Sequence, residues 1–106
     1  FSSGNRRHVD RLKTIRVIWE EDGVVVDTHT ADGLKVGLEQ RRPSLPLVCL
    51  ETALPAKFAE TIQEALGRQP ERPAKLEGIE ALPQRCEVME ADVDKLKAYI
   101  SANVPA

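Results

Sequence analysis

A chain of 106 residues can bury one modest core, so it is one domain or one lobe of something larger and not two independent domains. Its 15 lysines and arginines stand against 17 aspartates and glutamates, a net charge of −2 that sets up no field to draw it to nucleic acid or an anionic membrane. No apolar stretch reaches the ~18 residues of a membrane span and no signal-peptide pattern opens the chain, so a cytoplasmic location is expected.

The opening Phe1-Ser2-Ser3-Gly4, with no initiator methionine, is expected of a piece cut from a longer polypeptide or of a chain given without its first residues. Residues 6–21 carry Val9, Leu12, Ile15, Ile18 and Trp19 on one side of a helical wheel, with Arg6, Arg7, Arg11, Lys13 and Arg16 largely off it. This predicts an amphipathic helix with a basic outer face, closed by Gly23. Asp10, Glu20, Glu21 and Asp22 interrupt or follow the positive charges, which favours a solvated face over an anion-binding stripe. Val24–Val26 suits a short strand or buried coil. Asp27 and Thr28 are good N-caps for a second helix over about 30–41. Within it Gly33 and Gly37 each cost ~1 kcal/mol against alanine, a cost usually offset by close approach of another backbone. His29, beside that cap, suits either an acid, base or phosphate contact or a hydrogen bond that locks the turn.

Leu47-Val48-Cys49-Leu50 is an unbroken apolar run between turn residues, the pattern of a strand buried on both faces, and predicts a central strand at 46–51. Pro55 opens a third helix over 55–66, with Phe58, Ile62, Ala65 and Leu66 inward and Gly67 as its stop. Thr52 therefore falls at the carboxyl end of a strand just before a helix, where open α/β sheets bind ligands; the plainer reading is a hydroxyl capping the next helix. Residues 68–83, rich in proline and charge, read as a surface connector, with Leu76, Ile79 and Leu82 pinning it in a short helical turn. Cys86 and Val88 hint at a weak strand at 86–89, and Asp92 caps a last helix over 92–102 bearing Val93, Leu96, Tyr99 and Ile100 on one face. Asn103–Ala106 reads as a natural end. Cys49 and Cys86 lack CxxC spacing and a nearby histidine, so both are expected to be buried free thiols in a reducing compartment, with no metal. The fold class is α/β: a small, mainly helical unit with a short sheet, in which 1–106 form a single segment.

Two stretches then match a known pattern. Thr52-Ala53-Leu54-Pro55-Ala56-Lys57-Phe58 resembles the T-A-x-P-A-K-F segment near the C-terminus of threonine synthases. Asp27-Thr28-His29-Thr30-Ala31 resembles their D-P-H-T-A segment some two dozen residues earlier, with Thr28 in place of proline. Leu82-Pro83-Gln84-Arg85 and the elements after it also resemble the end of that family. The resemblance spans nearly the whole chain but only the C-terminal part of such an enzyme. It implies fold type II of the pyridoxal-phosphate enzymes, shared with tryptophan synthase β and cysteine synthase. It also implies conversion of O-phospho-L-homoserine and water to L-threonine and phosphate. By the same resemblance Thr52 faces the pyridine nitrogen of pyridoxal 5'-phosphate and tunes the charge the ring accepts. The cofactor-bearing lysine and the phosphate loop belong to motifs much nearer the family's N-terminus and absent here, so Lys57 reads as a structural or surface charge. The expectation is a segment inactive and cofactor-free alone, whose partner is the remainder of its own polypeptide. The other reading is a stand-alone, non-catalytic α/β interaction module; a basic-helix nucleic-acid binder fits the charge balance poorly.

Overall fold

A computed structural model describes residues 3–104, leaving the first two and last two residues outside the description. Four α-helices form: α1 (His8–Asp22), α2 (Thr28–Glu39), α3 (Ala59–Leu66) and α4 (Val93–Asn103). The first three pack together, with α1 touching both α2 and α3. At its centre lie Ile15, Val26, Ala31, Ile62 and Ala65, flanked by half-buried Leu12, Ile18, Val25, Leu34 and Leu66. Periodicity places Ile15, Ile62 and Ala65 inward, as they are found; Val9, assigned to the same face as Ile15, is 65% exposed.

The helix punctuation follows backbone chemistry. Gly23 and Gly67 close α1 and α3 at φ 69° and 70°, the left-handed region glycine enters without a Cβ clash, donating to Trp19 and Gln63 carbonyls. Asp27 is completely buried and caps α2, its carboxylate accepting from the His29 N–H at 2.8 Å and from the Thr30 hydroxyl. Thr28 takes the first helical position, where a proline would lack only an N–H that has no partner in the helix anyway, so its substitution leaves the helix start intact. Asp92 caps α4 by accepting from the Lys95 N–H at 2.9 Å. The predicted helix at 55–66 is divided: Pro55–Phe58 winds as a 3-10 turn, and Phe58, at φ −122° and ψ 39°, breaks the ladder before α3 begins.

The basic side of α1 is not a free outer face. Arg11 grips Asp32 of α2 through both Nε (3.1 Å) and a terminal nitrogen (2.8 Å), and Arg6 pairs with the same carboxylate. The hydrogen bonds that Arg11 donates to the Asp32 carboxylate, with its charge adding less, raise the guanidinium further above its usual range. Arg16 donates to the Ala65 carbonyl at 3.1 Å, satisfying an orphan acceptor at the α3 C-terminus. His8 bonds Glu64 at 2.9 Å, and the Arg68 guanidinium lies 4.0 Å over the Trp19 ring.

Among the described residues no strand ladder forms, so the chain is mainly helical and the expected short sheet at 24–26, 46–51 and 86–89 is not built from them. The reason is geometric: each stretch lacks a neighbour beside it to exchange backbone hydrogen bonds. The central run is also not buried on both sides. Leu47 and half-buried Cys49 lean on α2, while Val48 and Leu50 are 78% and 79% exposed. Cys86 is exposed, so the burial expected of both thiols holds only in part for Cys49.

Residues 68–83 contain two 3-10 turns, Ala74–Leu76 and Ile79–Ala81, tied by Arg72 to the Leu76 carbonyl at 2.6 Å and to Glu80 at 2.6 Å. From Glu77 to Val104 every residue is exposed, α4 included. The radius of gyration is 18.9 Å, where a compact chain of this length would have about 13 Å. No helix among the described residues is long and apolar enough to cross a membrane.

Candidate functional site

The first turn of α2 gathers the two conspicuous sequence motifs. The His29 ring meets Phe58 edge-on, with centroids 5.1 Å apart and planes at 85°, a favoured aromatic geometry. One residue on, the Thr30 carbonyl accepts a 3.7 Å hydrogen bond from Cys49 Sγ. The segment Cys49–Phe58, which carries Thr52, thus leaves and rejoins the same helical turn.

Glycines let that segment lie close. A Cβ added at Gly33 would stand 2.9 Å from Cys49 Sγ, and one at Gly37 would stand 3.0 Å from a Leu47 methyl. Close packing was expected at both positions; the approaching groups are side chains of the 46–50 segment instead of backbone. A groove of about 770 Å³ opens between α2 and residues 41–50, lined among others by His29, Asp32, Arg42 and Val48.

Of the residues singled out beforehand, Thr52 is exposed and makes no side-chain hydrogen bond within the described residues. Val48 and Leu50, a little earlier in the same segment, are strongly exposed as well. Lys57 is exposed with its Nζ 5.6 Å from the Phe58 centroid, in a shallow hollow with Arg72 and Glu80. His29 is exposed, and the lock it was expected to supply by hydrogen bonding is made instead by Asp27 and by the ring contact. No cluster of three or more His, Cys, Asp or Glu suited to a metal occurs among the described residues. Asp32 went unnoticed in the sequence. An acid inside α2 declares itself only once the crossing of α1 brings Arg6 and Arg11 to it.

The layout is shared with an enzyme of known fold. The chain superposes on a PLP-bound threonine synthase from Brucella melitensis with a TM-score of 0.78 at 30% identity, covering 96% of this chain and 22% of that one. It is 56% identical over 104 residues to a threonine synthase of Methylobacillus glycogenes, covering 98% of this chain and 22% of the relative. It is 41% identical over 101 residues to that of Corynebacterium glutamicum, covering 94% and 21%. This defines the class as the C-terminal portion of a pyridoxal-phosphate enzyme fold. The family described as "Threonine synthase, C-terminal" matches residues 30–100, and the chain belongs to it. The chain spans about a fifth of the length of these relatives.

Proposed function

We propose that residues 1–106 form one C-terminal segment of an enzyme that converts O-phospho-L-homoserine and water to L-threonine and phosphate, supplying the wall beside the pyridine ring of its pyridoxal 5'-phosphate. The observation that carries this reading is Thr52: an exposed hydroxyl, unspent within the segment, on a loop held at both ends by α2 and bearing the family motif. Val48 and Leu50, exposed in the same segment, are the flanks that the remainder of the polypeptide covers. Residues 68–83 serve as a connector over the surface, and the enzyme works in the cytoplasm.

A threonine hydroxyl fits the ring nitrogen. It donates or accepts one hydrogen bond and carries no charge to hold a proton there, so it limits how much negative charge the ring draws. When bound, the cofactor supplies an electron sink. The segment's part is to aim one neutral hydroxyl and to exclude water beside it.

In the full-length enzyme, Thr52→Val is expected to lower kcat by roughly 5- to 100-fold, the range for leaving one buried polar partner unpaired. It should also shift the cofactor absorption band, while Thr52→Ser retains both. Unchanged activity and spectrum in Thr52→Val would overturn the reading. The 106 residues alone are expected to bind no cofactor and catalyse nothing, since neither the anchoring lysine nor the phosphate loop is among their motifs. A visible-range band on mixing with cofactor, fixed to Lys57 by borohydride, would contradict this.

A further inference from the structure

Resting on the assignment of Thr52 above, we propose that His29 is a positioning residue, which with Cys49 fixes the Thr52 loop by clamping its two ends to a single turn of α2. The loop runs from Cys49 to Phe58. Cys49 Sγ donates to the Thr30 carbonyl at 3.7 Å, and the Phe58 ring seats edge-on against His29 at 5.1 Å. The two anchor points are consecutive residues, so the loop closes on itself across one peptide unit of the helix.

That unit is itself held. Completely buried Asp27 accepts from the His29 N–H at 2.8 Å and from the Thr30 hydroxyl, so both anchors hang from one carboxylate. Gly33 removes the Cβ that would stand 2.9 Å from Cys49 Sγ and lift the first anchor off the helix. Thr52 lies three residues beyond that anchor, within about 10 Å of chain, so a shift at Cys49 or Phe58 passes to its hydroxyl. Chemistry sensitive to misplacements near 1 Å gives such clamps their value. His29 needs only its ring for this role, not its proton, because what it offers the loop is an aromatic contact with Phe58.

The test uses the full-length enzyme with His29→Ala, His29→Phe, Cys49→Ala and Thr52→Val. His29→Ala should lower kcat roughly three- to tenfold, the size of an edge-to-face contact. It should also move the absorption of the bound cofactor and, without cofactor, speed amide exchange over residues 50–57 with little change in thermal midpoint. Cys49→Ala should loosen the same amides from the other end. His29→Phe, keeping a ring, should restore spectrum, exchange and rate to within about twofold, with the pH profile of kcat/KM unaltered. A His29→Phe enzyme as impaired as His29→Ala, or a pH limb lost in both, would overturn the proposal in favour of a proton-transfer role. So would His29→Ala and Cys49→Ala leaving loop exchange untouched. If Thr52→Val is harmful and His29→Ala silent, the clamp fails and the assignment of Thr52 stands; if Thr52→Val is silent, that assignment itself fails.

Discussion

Asp27 ties the start of α2 together from a fully buried position. It has no exposed surface, satisfies one orphan N–H in the first turn of α2, that of His29, and takes the hydroxyl of Thr30. Replacing it with alanine removes the cap and leaves the Thr30 hydroxyl buried without its acceptor, a combined cost of about 2–4 kcal/mol. A fall in the thermal midpoint of the full-length enzyme, with Asp27→Asn intermediate, would check this. Gly33 offers a sharper case because two effects oppose. Alanine there gains up to ~1 kcal/mol of helix propensity. Its methyl, however, would stand 2.9 Å from Cys49 Sγ, and overpacking of that kind costs ~1–3 kcal/mol. Gly33→Ala is thus expected to be destabilising by about 1 kcal/mol. Deleting the sulfur in a Gly33→Ala, Cys49→Ala double variant should recover the loss, read as non-additivity of midpoints.

At the scale of elements, α1 is the hub: its apolar side buries Ile15, and its basic side ties α2 through Asp32 and α3 through the Ala65 carbonyl. Asp32→Ala leaves Arg6 and Arg11 without their shared acceptor and should destabilise by about 1–3 kcal/mol, measured as a lower denaturation midpoint. The turn at 72–80 carries a pH signature. The hydrogen bond from Arg72 holds the Glu80 carboxyl below its ordinary value of 4.5. A carboxyl lowered in the folded chain contributes its tie fully above that ordinary value and loses it as pH falls through the depressed one. Arg72→Ala should therefore raise the Glu80 titration midpoint, as followed by NMR. The four helices, their caps at Asp27 and Asp92 and their stops at Gly23 and Gly67 were all legible, because capping and periodicity are local. The break at Phe58 was not: it accompanies a contact with His29, which sits 29 positions earlier.

For the molecule as a whole, an unbroken apolar run misled where local signals did not. Leu47–Leu50 reads as a fully enclosed strand, yet only the side facing Gly33 and Gly37 is covered within these residues. Hydrophobicity states that a face must be buried; it does not state by what. Thr52 could be put at the end of that run from sequence, whereas the clamp around it needed three-dimensional contacts. α4 shows the same division. Its cap is in place, but Leu96 and Ile100 are each about half exposed, and an isolated helix of 11 residues is marginal in water. Amide exchange in the separate 106-residue chain is expected to be fast throughout α4 and slow around Ile15 and Ile62, whereas in the full-length enzyme α4 should be protected. Equal protection in both would show that α4 is stable by itself.

Trp19 is the chain's one tryptophan, and the Arg68 cation rests on its ring just past the end of α3. The indole is therefore a built-in optical gauge of a single seam. Its fluorescence should redden and lose sensitivity to Arg68→Ala as α3 peels from α1, while unwinding at the far end of the chain leaves the colour of the emission unchanged.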